Sequence, residues 1–215
     1  MEVSFSYYIL VFGEALRWLE NNVLRATSYS YHKTKSDIER EISQIRKAQD
    51  NPQEFAPIYN HYYNEIFVYI SKRIDNLDLV ADLTSRTFTK CLTNLHKFKF
   101  MGVPFSAWLY KIAINEVRLF FRARKNYPRS ISISEAELRD FQEEAVEESN
   151  TADAYEILPK LLSYLSEPEL QIIELRFFEK KSFREIGFIM GLTEVNAKVK
   201  TYRILKKMKD KAAKL

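Results

Sequence analysis

Apolar residues recur at spacings of three and four along most of the chain, which is the period of a helix with one buried face. The densest run covers residues 55–74, and it holds too many apolar positions for a surface helix. Further runs cover residues 79–95, which Asp78 could cap, and residues 105–124. The pattern therefore predicts an all-α protein whose core is built around residues 55–74.

Two more helices are predicted near the C-terminus, separated by a short turn at Gly191. The first has an apolar repeat, and Thr193 stands where the N-cap of the second belongs. The second has an apolar inner face and a basic outer face, as does a helix that enters the DNA major groove from a helix-turn-helix. Its candidate groove contacts are Lys198, Val199, Lys200, Tyr202, Arg203 and Lys206.

The distribution of charge favours DNA contact over an ordinary solvated face. Residues 176–215 hold twelve Lys and Arg against four Asp and Glu, so acidic partners for the cations are scarce. Residues 135–156 reverse the balance, with nine carboxylates against Arg139 alone, and residues 111–129 are basic again. This order predicts two nucleic-acid-facing modules joined by a connector that repels the same polyanion.

A second candidate surface begins at residues 97–105, which break the helical pattern and contain three phenylalanines. Phe98 fits burial as well as base contact, whereas Phe100 is freer to receive an unpaired base. In the next helix, Trp108 heads a polar and cationic row, where its ring either covers an unstacked base pair or is half-buried core. The candidates for contact with melted DNA are Phe98, Phe100, Trp108, Lys111, Asn115, Arg118 and Arg122.

The sequence offers little other chemistry. A single cysteine, Cys91, excludes an intramolecular disulfide and fits a reducing cytoplasm. His32, His61 and His96 lack paired ligand spacing, and the glycines form no phosphate-binding loop. The apolar run over residues 3–12 is about half the length of a membrane span. We therefore expect no catalytic residues, no metal, no cofactor, no membrane insertion and a cytoplasmic location.

The order of these segments resembles a bacterial RNA polymerase sigma factor of the sigma-70 family, extracytoplasmic function (ECF) group. The resemblance rests on YNHYYNEIFVYI, DLTSRTF, FSAWLYKIAINEVRLFFR, an acidic spacer, LPKLLSYLSEPELQIIELRFFE and SFREIGFIMGLTEVNAKVKTYR. It implies a subunit that binds core RNA polymerase and directs it to promoters. One helical domain would melt and read the minus-10 element, and the other would read the minus-35 element as duplex.

The resemblance also implies how the chain is divided. We expect an N-terminal extension of unknown role over residues 1–35, a sigma-2 helical bundle over residues 36–128, a flexible acidic linker over residues 129–153 and a sigma-4 helix-turn-helix domain over residues 154–215. Core RNA polymerase and promoter DNA, both duplex and melted, are the expected partners. An anti-sigma factor is a candidate further partner.

The chain departs from the family pattern at two places. The implied polymerase-binding residues are Asp82, Ser85, Arg86 and Thr89, and the family usually has Gln and an acidic residue where Ser85 and Arg86 stand here. Reversing a charge on a docking face changes the affinity for a charged partner surface. Val195 and Asn196 replace the usual Gly-Thr at the start of the last helix.

Two other classes of function remain open at this point. A helix-turn-helix regulator could bind duplex DNA without docking on polymerase, but it would have no use for the phenylalanines and the Trp-led row over residues 97–122. An enzyme with a nucleic-acid substrate would need a catalytic set, and the sequence contains no recognisable one.

Overall fold

The computed structural model describes residues 35–125, residue 158 and residues 160–212 of the chain. These residues form helices and short connections, which confirms the predicted all-α class. For the most part, the helices before residue 125 form one compact unit and those after residue 157 form another. The N-terminal extension and the acidic linker predicted from the sequence lie outside the described residues.

The first unit contains four α-helices. They are α1 (Lys35–Asp50), α2 (Ala56–Ser71), α3 (Leu77–Asn94) and α4 (Phe105–Ala123), with short 3-10 helices at Pro52–Phe55 and Leu95–Lys97. Helix α2 packs against both α3 and α4, and those two helices also pack against each other. Three mutually packed helices give each helix a buried face and a face that remains in solvent.

The core of this unit lies on α2, as the density of apolar residues predicts. Ile66, Tyr69 and Ile70 are fully buried. The ring of Tyr69 meets that of Tyr110 from α4 edge to face, with 4.9 Å between the ring centroids. Cys91 is also fully buried, and its burial raises the pKa of the thiol, so the side chain is an unreactive part of the core.

One predicted helix start is wrong. Asp78 does not cap α3, because the side-chain oxygen of Asn76 accepts the Leu79 N–H at 3.0 Å and the helix already includes Leu77. Asp78 lies in the first turn instead, where its charge suits the positive end of the helix dipole.

The second unit contains α5 (Glu167–Ile173), a π-helical stretch (Glu174–Phe178), α6 (Phe183–Met190) and α7 (Glu194–Ala212). Helices α6 and α7 form the predicted helix-turn-helix. Gly191 takes φ +70 between them, a conformation that glycine adopts without strain. A Cβ at Gly187 would lie 2.9 Å from the Leu192 carbonyl oxygen, so this glycine permits the close approach of the turn to α6.

The Glu169 carboxylate of α5 forms an ion pair with α7. The three-residue spacing of Ser166 and Glu169 predicts a capping box at the start of α5. Glu169 accepts hydrogen bonds from the backbone N–H of Ser166 at 2.7 Å and from its hydroxyl at 2.8 Å, which confirms this cap. The Lys207 ammonium of α7 donates to the same carboxylate at 2.8 Å. Chiefly through this bond, and with help from Ser166, the pKa of Glu169 falls to about 2, although burial acts in the opposite direction.

We expect the Glu169 contacts to make the stability of the second unit depend on acidity. Because the folded pKa lies below the ordinary value of 4.5, their contribution is present above that pH and is lost as the pH falls toward 2. Thermal unfolding followed from pH 6 to pH 2.5 should show a loss of about 1 kcal/mol in the wild type that Glu169→Gln lacks. The same pH dependence in both proteins would contradict this account.

Candidate nucleic-acid interface

The basic face of α7 points toward solvent because the opposite face of the helix is buried. Ala197 and Thr201 are fully buried, and Ile204 and Met208 are nearly so. The Thr193 hydroxyl accepts the Asn196 N–H at 3.1 Å and so fixes the start of the helix as predicted. Of the predicted groove residues, Tyr202 is half-buried and the others are exposed, namely Lys198, Val199, Lys200, Arg203 and Lys206.

The cations of α7 differ in what they contact. Lys207 is committed to Glu169. Lys198, Lys200, Arg203 and Lys206 make no ion pair with any residue in the described ranges. An exposed cation without a carboxylate partner keeps its full attraction for phosphate oxygens. The outer face of α7 therefore has the electrostatic character that duplex DNA requires.

An aromatic cluster lies at the start of α4. The ring centroids of Phe98 and Phe105 are 5.1 Å apart, and the Trp108 ring lies 5.2 Å from Phe98 and 5.5 Å from Phe105. Phe105 is buried, whereas Phe98 and Trp108 are half-buried. Trp108 is therefore partly core, because it packs on Phe98 and Phe105, while the rest of its side chain remains accessible to solvent.

The loop before this cluster presents two further apolar side chains. Phe100 is 45% exposed and Met101 is 67% exposed. Neither belongs to the buried core of the first unit. An exposed ring beside Lys99 is available for stacking on a base.

An open groove lies between α3 and α4, beside the polar and cationic residues that follow Trp108 on α4. The groove gathers Asn115, Arg118 and Arg122 from the predicted set, whereas Lys111 is half-buried and does not line it. The sequence interpretation missed the residues on the other wall, which are Lys90, Asn94 and Lys97. Lys97 donates to the Asn94 side chain at 3.1 Å, so this cation is oriented beside the groove.

A buried carboxylate lies at the base of this groove. Glu116 has a side chain only 6% exposed, and its oxygen lies 2.5 Å from the Lys90 ammonium. A buried carboxylate without a partner would be strongly destabilising, so Lys90 is held in place by this pair. The excess positive charge of the groove is therefore provided by residues other than Lys90.

The outer face of α3 carries the residues implied in polymerase docking. Asp82, Ser85, Arg86 and Thr89 are all exposed. Arg86 pairs with Asp82 across one helical turn, with 2.8 Å between the charged atoms. Arg86, which stands where the family usually has an acidic residue, therefore balances the charge of Asp82. The pair has no net charge.

Arg176 was not singled out from the sequence, yet it shapes the helix-turn-helix. This nearly buried side chain donates to the Lys181 carbonyl oxygen at 2.8 Å and lies over the Phe183 ring, 4.5 Å from its centroid. Burial lowers its pKa, while electrostatic interactions with Tyr202 and Glu185 act in the opposite direction. Arg176 thus joins the π-helical stretch to the first residue of α6.

The described residues show neither a metal cluster nor a membrane span. No group of three His, Cys, Asp or Glu side chains within the described ranges could hold a metal ion. No helix in that part of the chain is long and apolar enough to cross a bilayer.

Comparison with known proteins decides the family. The profile of "Sigma-70 region 2" matches residues 58–127, and the profile of "Sigma-70, region 4" matches residues 155–208. Together these matches span more than half of the chain. The chain belongs to the sigma-70 family of RNA polymerase sigma factors, in the ECF group.

Individual relatives agree with this assignment. The chain is 28% identical to the ECF RNA polymerase sigma factor BldN of Streptomyces coelicolor over 80% of this chain and 65% of that protein. It is 29% identical to the RNA polymerase sigma factor YlaC of Bacillus subtilis over 72% of this chain and 91% of that protein. The solved structure of CnrH in complex with the cytosolic domain of CnrY shares the fold, with a TM-score of 0.52 at 18% identity, covering 78% of this chain and 94% of that chain.

Membership of this family establishes the general function. This sigma factor directs RNA polymerase to promoters for transcription initiation, and its partners are core RNA polymerase and promoter DNA. Sigma factors are non-enzymatic subunits. A helix-turn-helix regulator that never docks on polymerase would not carry the region 2 match, so that alternative is set aside.

Proposed function

We propose that this sigma factor divides promoter recognition between its two units. A sigma-4 domain over residues 154–215 reads the minus-35 element as duplex through α7, and a sigma-2 domain over residues 36–128 melts and holds the minus-10 element. The acidic linker over residues 129–153 joins them. The observation that carries the proposal is the contrast between the unpaired cations of α7 and the aromatic cluster with its cationic groove on α4.

The minus-35 role of α7 is supported by its two faces. A helix fits the major groove when its inner face is fixed by packing and its outer face offers cations to phosphates and side chains to base edges. Buried Ala197 and Thr201 meet the first condition. Exposed Lys198, Lys200 and Arg203 meet the second.

The minus-10 role of the first unit is supported by a different combination of groups. Bases that leave the duplex need aromatic surfaces for stacking, and their phosphates need cations nearby. Phe100 and the solvent-facing part of Trp108 supply rings. Arg118 and Arg122 line the groove that leads away from Trp108.

The outer face of α3 is the proposed docking surface for core polymerase. It is exposed, and it lies on a helix whose inner face is fully committed to the core. Since the polymerase acts in the cytoplasm, we propose the same location for this sigma factor. An anti-sigma factor is a candidate further partner. It would inhibit this sigma factor by covering α7, the groove between α3 and α4, or the outer face of α3.

We expect Arg203→Ala to weaken binding of the holoenzyme to duplex promoter DNA by about 1 to 3 kcal/mol and to relax the preference at one base pair. Arg203 is exposed and has no carboxylate partner within the described ranges, so its guanidinium is available to a base edge. Competition binding with single-base variants of the minus-35 element measures both effects. Lys209→Ala, an exposed cation later on the same helix, should weaken all sequences equally. Uniform weakening by Arg203→Ala would reduce its role to a phosphate contact.

We expect Phe100→Ala and Trp108→Ala to impair open-complex formation more than duplex binding, by about tenfold each, because one stacked base is lost. The two variants differ in their effect on stability. Phe100 is exposed, so its removal should leave the unfolding temperature unchanged, whereas Trp108 packs on Phe98 and Phe105 and its removal should lower it. Rates of promoter opening on a fluorescent template measure the first effect, and thermal unfolding measures the second.

The outcome of the Phe100 variant decides the minus-10 proposal. Wild-type opening rates in Phe100→Ala would contradict base capture by this loop. Equal losses in duplex binding and opening by Trp108→Ala would assign that residue to the core alone.

We expect Asp82→Lys to weaken the affinity for core polymerase by about tenfold, because the substitution reverses the charge at a proposed contact and places a second cation beside Arg86. Glu39→Lys, an equal charge change on the exposed side of α1, is the matched control and should have no effect. Titration of labelled sigma factor with core polymerase gives both affinities. Unchanged binding by Asp82→Lys would remove this face of α3 from the interface.

A further inference from the structure

Two exposed valines lie on the first turns of α7. Val195 is 69% exposed and Val199 is 40% exposed. A helix has about 3.6 residues per turn, so residues four apart are neighbours on one face. The pair forms an apolar patch on a helix that is otherwise basic on its solvent side.

This patch occupies the middle of the outer face. The buried residues Ala197, Thr201, Ile204 and Met208 define the inner face. At helical spacing, the direction opposite to them runs through Val195, Val199 and Lys206. Lys198 and Lys200 fall on opposite flanks of this line. The valines thus lie near the middle of the outer face, with one lysine on each side.

The chemistry of the major groove suits this arrangement. The floor of the groove is lined by hydrogen-bonding groups and by one apolar group, the C5-methyl of thymine. The phosphates run along the two edges of the groove, where the flanking lysines would reach them. A valine cannot satisfy a base donor or acceptor, so its methyl groups are buried most favourably against the thymine methyl, the largest apolar group on a base edge.

We propose that Val195 and Val199 read thymine methyl groups in the minus-35 element, while Lys198 and Lys200 hold phosphates on either side. This inference rests on the proposed minus-35 role of α7 and adds the chemical basis of its specificity. Val195 stands where the family usually has glycine, which has no side chain to contact a base. The thymine preference at that position is therefore a property of this chain.

Uracil substitution tests the inference, because uracil differs from thymine only by the missing methyl group. Holoenzyme assembled from the full chain and core polymerase first selects its minus-35 sequence from a randomised duplex library. Each selected thymine is then replaced singly by uracil, and affinity is measured by competition at a temperature that keeps the duplex closed. The wild type should bind about fourfold more weakly at one or two positions, as expected for one methyl group no longer buried.

Variants identify the residues responsible. Val199→Ala and Val195→Ala should each lose discrimination between thymine and uracil at one position, with unchanged unfolding temperatures because both side chains are exposed. Lys200→Ala is the matched control on the same helix. It should weaken binding to both duplexes equally and keep the ratio between them.

The outcomes separate this inference from the proposed function. If the library yields a defined minus-35 sequence but the wild type binds thymine and uracil duplexes equally, the inference is wrong and the minus-35 role stands. If the library yields no preferred sequence, the minus-35 role itself fails. Discrimination that survives in both valine variants would assign methyl recognition to another residue and would also overturn the inference.

Discussion

Burial of one face on each helix that is proposed to contact DNA is the constraint on which the whole interface depends. A lysine or arginine side chain is flexible, so its helix must be fixed before its charge can be directed at a groove or a strand. On α7 this is done by fully buried Ala197 and Thr201, and on α4 by fully buried Leu109 and Ala113. Loss of that packing would free the helix to rotate and would remove the distinction between base-facing and phosphate-facing side chains.

A second condition concerns which cations are neutralised within the protein. Within the described ranges several cations pair with carboxylates: Lys207 with Glu169, Lys90 with Glu116, Arg86 with Asp82 and Arg40 with Asp37. The first two pairs join helices, and the third lies on the proposed docking face. Lys198, Lys200, Arg203 and Lys206, on the proposed groove surface, pair with no carboxylate in this part of the chain. Ion pairing within the protein therefore decides which cations remain available to DNA, and composition alone does not show which these are.

The sequence predicts features that depend on local period and fails where distant residues meet. The buried face of α7, the core position of α2 and the Ser166 cap of α5 follow from spacings of three and four, and all are confirmed. The Lys90–Glu116 pair spans two helices, and no local pattern reveals which face of α4 meets α3. Arg176 was overlooked for the same reason, because its contacts depend on a π-helical stretch that periodicity does not predict.

The central claim is that one unit holds separated strands while the other reads paired DNA. Its most direct test is binding of the holoenzyme to a template whose minus-10 region is a permanent mismatched bubble, with the non-template strand carrying either the minus-10 sequence of a promoter that this sigma factor transcribes or a scrambled one. The account predicts tighter binding to the promoter sequence, even though no base pairs remain in the bubble to be read. Equal affinity for both bubbles, with sequence preference retained only on fully paired templates, would contradict it.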